Sequence, residues 1–385
     1  MHSSTPISQS LLTNHNSRRD SNMELLRIVA MLLVMIVHAD FRALNIPQAA
    51  DFCDDTFRTV MRLAVGSLSV ICVNTFVCLS GWFGIRFRRD RILEFLFQIC
   101  FFSMLGIIIS IIMGEGTLTR RATSLLLLEN EDYWFVKGYL LMYIFAPVMN
   151  SFVEHSTKRQ FGIFLILFYV FQSVYGFVGG AEWFRLGYSG ISFMGLYMLA
   201  RYIRLYPNRL TTFNKSWDIF VYLLLAVLNT LICAVVLSLG LNQKIITHMY
   251  GYVSPFVIMA SVYFLLFFSK LKISYNKVIN YVAASCFAIY LVHSNAWLAH
   301  YYDHTIQYLF ASYRGIAFFI RATLFIAIVF ACSILIDKLR ILLWKMILFL
   351  FQRLKPNQGK QFAGGIKTEM DTPKIEQQAN HKEEY

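Results

Sequence analysis

An arginine and a histidine lie on one face of the first apolar segment, and both residue types can do chemistry. Arg27 and His38 are eleven residues apart in MELLRIVAMLLVMIVHADF. Eleven residues of α-helix make three turns plus roughly 20°, so the side chains point the same way, roughly 16 Å apart along the axis. A cation at the bilayer centre costs about 2.5–3.5 kcal/mol. The pair therefore indicates a shared polar cavity; the alternative is that the two side chains snorkel to opposite membrane surfaces.

The helix that carries this pair belongs to a strongly apolar chain. Of 385 residues, 57% are hydrophobic and 15% are charged. We predict an all-α integral membrane protein with about ten transmembrane helices, because each apolar run is long enough to cross the hydrocarbon. The predicted spans are 23–41, 62–83, 92–113, 133–151, 161–178, 188–204, 217–239, 250–268, 277–299 and 316–337.

The segments outside these spans complete the predicted domain organisation. Residues 1–22 are expected to form a cytoplasmic tail and 23–340 the transmembrane domain. Residues 341–355 mix cationic and aromatic side chains with Leu, which predicts a juxtamembrane amphipathic helix or an extension of the last span. Residues 356–385 are polar and of mixed charge, as in a disordered cytoplasmic tail.

The distribution of Lys and Arg predicts that both termini face the cytoplasm. With the N-terminus inside, the inner loops and their borders hold 13 Lys and Arg, and the outer loops hold seven. Positive charge favours the inner side. This placement accounts for much of the net charge of +13, so we expect no nucleic-acid partner. The seven cysteines show neither metal-site spacing nor a disulfide framework.

This orientation sorts the ionisable residues into two zones. The inner zone contains an acid and five arginines: Glu24, Arg27, Arg86, Arg88, Arg89 and Arg91. The outer zone contains two histidines and two cations near span ends: His38, His293, Lys137 and Arg321. Each zone has a structural alternative. The arginine run is also typical of a topology signal that contacts anionic lipid, the two outer cations of snorkelling ends, and His293 of a hydrogen bond to a neighbouring helix.

The chemistry available to these residues is narrow. The sequence contains no GxSxG elbow, Walker loop or HExxH motif. A histidine titrates near neutral pH and can act as a general base, and arginines bind phosphates. This combination suits group transfer from a phosphate-bearing carrier. Coenzyme A fits, because acyl transfer to a hydroxyl needs only deprotonation and a stabilised oxyanion.

The chain resembles acyltransferase family 3, membrane proteins that O-acylate sugars and related acceptors. Arg27 and His38 match the family's Arg–ten residues–His pattern, and Glu24 stands at its usual acidic position. Its later motifs follow in order at Phe76, Ser80, Gly81 and Trp82; at Arg86 to Arg91; at Trp134, Tyr139 and Pro147; and at Ser285, Tyr290 and His293. The resemblance covers residues 21–340 and includes no SGNH-type esterase domain, so we expect the membrane domain to act alone or with a partner.

The resemblance implies a multi-pass O-acyltransferase of the bacterial inner (cytoplasmic) membrane, most often an acetyltransferase. Such an enzyme would move an acyl group from cytoplasmic acyl-CoA to a hydroxyl of a cell-surface glycan or its lipid-linked precursor. Acyl-CoA, usually acetyl-CoA, would be the donor substrate, with no bound cofactor and no metal. The acceptor glycan and membrane lipids would be the other partners. The acceptor, acyl length and oligomeric state stay open.

The site residues follow from this interpretation. His38 and Arg27 would be catalytic, His38 acting as base or briefly carrying the acyl group. The CoA phosphates would bind the arginine run, Arg86, Arg88, Arg89 and Arg91. The predicted substrate-binding residues are Glu24, Ser80, Trp134, Lys137, Tyr290, His293 and Arg321. We expect a continuous wet tunnel to join the basic entrance to His38.

Two other classes of protein are alternatives. A flippase would also have charged residues at both mouths of a cavity, and a polymerase would also act on glycans. The first is a glycolipid or polysaccharide transporter or flippase, but the sequence shows neither repeats nor matched Gly/Pro-broken spans. The second is a glycan polymerase, which would need a larger outer loop than the 20 residues of 42–61. The acyltransferase is therefore the leading prediction.

Overall fold

The structure is a computed structural model that describes residues 20–128 and 133–354. In these ranges the regular secondary structure is helical, without strands. The α-helices are α1 (Ser21–Val37), α2 (Ala49–Asp54), α3 (Thr56–Ser69), α4 (Cys72–Phe83), α5 (Arg89–Ile112), α6 (Leu118–Leu125), α7 (Trp134–His155), α8 (Lys158–Phe171), α9 (Gly190–Leu205), α10 (Arg209–Thr212), α11 (Lys215–Ser238), α12 (Lys244–Met249), α13 (Pro255–Ser269), α14 (Lys277–Ala283), α15 (Cys286–His293), α16 (Ala299–Ser312) and α17 (Gly315–Leu354). Two π-helical segments, His38–Arg42 and Gln172–Val178, extend α1 and α8.

Six helical segments of the described chain are long and apolar enough to cross a membrane. They are Thr56–Phe83, Arg89–Ile112, Trp134–His155, Lys158–Val178, Lys215–Ser238 and Gly315–Leu350. These segments confirm the helical, multi-pass character predicted from the composition. The other four predicted spans fall on shorter helices. α9 and α13 have 16 and 15 residues, α1 changes to π geometry at its end, and α14 and α15 are separate helices.

α1 is packed on several sides by other helices. It contacts α3, α4, α13, α14 and α15. Leu26 and Met35 are completely buried, and Met31 and Val34 nearly so. Side chains of α1 therefore project between helices, including those on the face that carries Arg27 and His38.

A glycine permits the close contact between α4 and α9. A Cβ atom on Gly81 would lie 2.4 Å from the Tyr197 carbonyl oxygen, far inside van der Waals contact. The two helices can pack at this distance only because Gly81 has no side chain. This contact fixes the position of the segment that carries Ser80.

Three of the predicted domains lie at the ends of the chain: the two tails and the juxtamembrane helix. α17 runs without interruption from Gly315 to Leu354. The chain divides into a compact unit that ends at Ile341 and a second unit that begins at Leu342. The placement of 341–355 on the membrane surface stays a prediction. The predicted N-terminal tail lies outside the described residues except for its last three, two of which begin α1, and the tail at 356–385 lies wholly outside them.

Candidate active site

Two histidines that are 255 positions apart in the chain lie in contact inside the protein. His38 Nδ1 lies 2.9 Å from His293 Nε2, and the ring centroids are 5.0 Å apart. His38 is the first residue of the π-helical segment, and His293 is the last residue of α15. The packing of α1 against α15 brings the two rings together. The sequence placed both histidines in the outer zone but gave no signal that they contact each other.

The π-helical segment places a cationic group beside the histidine pair. The Ala43 amide donates to the His38 carbonyl at 2.9 Å, the i to i+5 bond of a π-helix. Such segments are rare and occur mostly at functional sites. Arg42, at the end of this segment, brings its Nη1 to 3.2 Å from His38 Nδ1. Arg42 is one of the seven Lys and Arg residues in the predicted outer loops and was not predicted as a site residue, although its i+4 spacing from His38 was a usable signal.

An aspartate on α16 holds Arg42 in place. Asp303 accepts from Arg42 Nε at 3.0 Å and from Nη2 at 2.8 Å, a two-point contact. Arg42 Nη2 also donates to the His293 carbonyl at 3.2 Å. The side chains of Arg42 and Asp303 are 29% and 21% exposed. Bidentate contacts of this kind fix the geometry of the guanidinium. No sequence signal identified Asp303, because it lies far from the first span in the chain.

A second ion pair anchors the π-helical segment to α3. Arg62 Nε donates to Asp40 Oδ1 at 2.8 Å, and both side chains are largely buried. Arg62 also donates to the carbonyls of Leu44 and Asn45, at 3.4 and 2.5 Å. The turn after His38 is therefore held by charge as well as by packing. Neither member of this pair was predicted as part of the site.

A wide cavity opens beside the histidine pair. Its volume is about 540 Å³. The lining includes His38, Arg42, Tyr133, Trp134, Tyr188, Tyr250, Tyr252, Tyr290 and Ser294. Three of these rings form a cluster: Trp134 and Tyr188 have centroids 4.4 Å apart, and Tyr188 and Tyr252 have centroids 4.9 Å apart. Aromatic walls with a few polar groups are typical of small-molecule sites.

A narrow apolar cavity continues from His38 along α1. Its volume is about 30 Å³, which is room for only a few water molecules. The lining residues are Met31, Val34, His38, Val73, Phe76, Trp134, Phe135, Phe287 and Tyr290. His38, Trp134 and Tyr290 therefore line both cavities.

Neither of these two cavities reaches Arg27, so they do not form the expected wet tunnel from Arg27 to His38. The narrow cavity is walled by aliphatic side chains and aromatic rings, and Arg27 lines neither cavity. The stripe on α1 is occupied by Met31 and Val34 between the two polar residues. The rings of Phe76 and Phe287 close in on this stripe and leave little space. Packing of side chains from several helices, which the spacing on one helix does not reveal, separates the two polar ends.

The Arg27 end of α1 has its own polar contacts. Arg27 forms an ion pair with Glu24, which is buried. Ser80 Oγ lies 3.2 Å from the Tyr139 hydroxyl, and Tyr139 is within electrostatic range of Arg27. The structure thus places Glu24 and Ser80 near Arg27 rather than near the histidines.

The arginine run lies at the surface and extends into the first turn of α5. Its four members, Arg86, Arg88, Arg89 and Arg91, are exposed. Arg88 pairs with Asp90 at 2.7 Å and Arg91 with Glu94 at 3.9 Å. Exposed pairs of this kind stabilise little. Their guanidinium groups are accessible to a ligand from the surrounding solvent.

Two predicted members of the outer zone line neither cavity. Lys137 lies in the first turn of α7 and is half-buried. Arg321 is exposed on α17, where its guanidinium lies 4.0 Å from the Tyr313 ring centroid and donates to the Ala317 carbonyl at 3.3 Å. The structure gives no support for Arg321 as a substrate-binding residue beside the histidines, because it faces away from the packed helices. Of that prediction, Trp134 and Tyr290 do line the cavities.

The histidine pair lies within a bundle of apolar helices, with His293 buried and His38 lining two cavities, which is the arrangement of a membrane protein that holds a reactive site. The chain belongs to acyltransferase family 3, whose model, described as an acyltransferase domain, matches residues 20–338. The protein is therefore an enzyme that transfers acyl groups, as the resemblance predicted. No curated protein and no solved structure matches the chain significantly.

Proposed function

We propose that the protein is an O-acyltransferase, with acetyl as the usual group, that uses acyl-CoA from the cytoplasm. The acceptor is a hydroxyl of a cell-surface glycan or its lipid-linked precursor. The observation that carries the proposal is the position of His38, which lines both the wide aromatic cavity and the narrow apolar one. A base at this junction can meet an acceptor from one side and a donor from the other.

The topology in this proposal has ten spans and both termini in the cytoplasm of a bacterium, with the protein in the inner membrane. The shorter helices α1, α9 and α13 and the α14–α15 pair supply the four spans beyond the six long ones. The excess of Lys and Arg in alternate loops supports the orientation. In this orientation, the wide cavity faces outward and the arginine run faces the cytoplasm.

The reaction needs one base and balances without a metal or a redox group. His38 takes the proton of the acceptor hydroxyl as its oxygen attacks the thioester carbon. The carbon–sulfur bond breaks, an ester forms, and His38 returns the proton to the departing thiolate. General-base catalysis of this kind contributes about 10²–10⁴-fold. In the alternative, nucleophilic mechanism, His38 attacks the thioester carbon and the carbon–sulfur bond breaks; the acceptor oxygen then displaces His38 from the acyl group, and the hydroxyl proton ends on the released thiolate.

The donor would enter along α1. Exposed arginines of the run at the start of α5 would hold the phosphates of CoA, because guanidinium groups bind phosphate oxygens at two points. The thin acyl-bearing arm would then pass Arg27 and reach His38 through the narrow cavity. This passage requires Phe76, Phe135 or Phe287 to rotate, since their rings line the present space. The apolar walls would exclude water from the thioester.

The test uses inside-out membrane vesicles supplied with labelled acetyl-CoA. His38→Gln should lower the label in glycan by about 10²-fold or more. His155→Gln is the matched control, because His155 is exposed at the end of α7 and, among the described residues, hydrogen-bonds only to the Ser151 carbonyl of its own helix, at 2.8 Å. A properly expressed His38→Gln protein with full activity would refute the mechanism. Glycolipid movement without any need for acyl-CoA would instead indicate a flippase.

A further inference from the structure

We propose that His293 does not bind substrate but fixes the protonation of His38, so that Nε2 of His38 is the reactive atom. This inference rests on the proposed function for its kinetic consequences, but its structural core is the hydrogen-bond chain from Ile289 through His293 to His38. This hydrogen-bond chain begins at the carbonyl oxygen of Ile289, and a backbone carbonyl oxygen can only accept a hydrogen bond.

The first step assigns the proton on His293. His293 Nδ1 lies 2.6 Å from the Ile289 carbonyl oxygen of its own helix. Because the oxygen only accepts, Nδ1 carries a hydrogen and donates it. A neutral imidazole has one N–H, so His293 Nε2 is left with its lone pair.

The second step assigns the proton on His38. His293 Nε2 lies 2.9 Å from His38 Nδ1. If His38 Nδ1 also held a lone pair, two lone pairs would face each other at that distance. His38 Nδ1 is therefore the donor, and the lone pair of neutral His38 is on Nε2. That nitrogen makes no hydrogen bond to the described residues, and His38 lines both cavities.

Arg42 offers a competing arrangement, which the local charges disfavour. Its Nη1 is 3.2 Å from His38 Nδ1 and would donate there if that nitrogen accepted. His293 would then have to be a doubly protonated cation beside the guanidinium, in a buried site. The hydrogens of Arg42 already have acceptors in Asp303, the His293 carbonyl and Ser294 Oγ. The neutral chain needs no additional buried charge.

The surroundings of His293 leave nothing for a substrate to bind. The residue is 2% exposed, and both ring nitrogens have partners. The Tyr302 and Tyr290 rings flank it, with centroids 5.6 and 6.2 Å from its own. His293 thus takes the place that a buried carboxylate takes behind the histidine of a Ser–His–Asp triad. It orients the base without bringing a negative charge into an apolar region.

The direct test is ¹⁵N NMR of the full-length protein in nanodiscs with labelled histidine. The spectrum of His38→Gln identifies the His38 signals by their loss among the nine histidines. We expect His38 to show a protonated Nδ1 and an unprotonated Nε2. A His38 protonated at Nε2 would overturn the proposal. This readout needs no acyl transfer, so a failure of the proposed function would be seen separately in the vesicle assay.

Three substitutions test the kinetic consequence. In His293→Gln, the side-chain oxygen can reach the Nε2 position and accept from His38, whereas His293→Asn is too short and His293→Phe keeps the ring without an acceptor. We expect kcat to fall about 10–100-fold in the Asn and Phe variants, less than the roughly 10⁴-fold known for loss of a charged triad partner. The Gln variant should keep most of the rate, and KM for acyl-CoA and acceptor should not change.

The same kinetic and NMR measurements provide a control and the results that would contradict the proposal. His155→Gln should leave both the kinetics and the His38 signals as they are. An increase in acceptor KM of equal size in all three His293 variants would show that His293 binds substrate. If the three variants fold poorly, the NMR result on the unsubstituted protein still decides the proton position.

Discussion

Replacing Asp303 by asparagine tests the charge balance around His38. Asp303 neutralises Arg42 through contacts of 2.8 to 3.0 Å, and Arg42 Nη1 is 3.2 Å from His38 Nδ1. Asparagine keeps the size of the side chain and removes its charge. Because His38 becomes a cation as it takes the acceptor proton, an unbalanced Arg42 would oppose that step. We expect kcat to fall.

The size of the effect follows from Coulomb's law with screening. Two unit charges 4 Å apart repel by about 4 kcal/mol at an effective dielectric constant of 20. The side chains of Arg42 and Asp303 are 29% and 21% exposed, so water reduces this repulsion. We expect half of this repulsion to remain, about 2 kcal/mol, which corresponds to a loss in kcat of about 30-fold.

The assay measures initial rates of acetyl transfer in vesicles for Asp303→Asn, for Asp303→Glu and for the double variant Arg42→Gln/Asp303→Asn. The glutamate variant keeps the charge and should lose less rate. The double variant removes both charges and should recover much of the rate that the single change loses. Thermal melting of all three proteins separates folding from catalysis. Full activity in Asp303→Asn, or a double variant as slow as the single one, would refute the charge argument.

Two further substitutions test the framework and the donor path. Arg62→Met should strongly destabilise the protein, by about 3–5 kcal/mol, because it leaves the carboxylate of Asp40 buried and unpaired. Fluorescence-detected melting measures this loss of stability. The control, Arg91→Met, breaks an exposed ion pair and should cost less than about 1 kcal/mol of stability. Equal losses of stability in the two variants would contradict the interpretation. Val34→Phe should fill the narrow cavity and reduce acyl-CoA-dependent labelling, while Val227→Phe, on the exposed face of α11, should not. An unchanged rate in Val34→Phe would exclude this cavity as the donor path.

Local patterns in the sequence determined the class of the protein. Long apolar runs predicted a helical multi-pass membrane protein, and the order of short motifs predicted the acyltransferase family. Both properties can be recognised from neighbouring residues alone, because span length and helical spacing are local. The shared face of Arg27 and His38 was visible for the same reason.

The arrangement of the site was decided by helix packing. His38 meets His293 across 255 positions of the chain, and Arg42 meets Asp303 across 261. No periodicity within α1 shows which helix will pack beside it, so these partners could not be identified from spacing. The same packing filled the stripe between Arg27 and His38 with Met31, Val34 and phenylalanine rings, where a wet tunnel was expected. Residue types and spacing along one helix established which groups could react, whereas contacts between distant helices established which of them do meet.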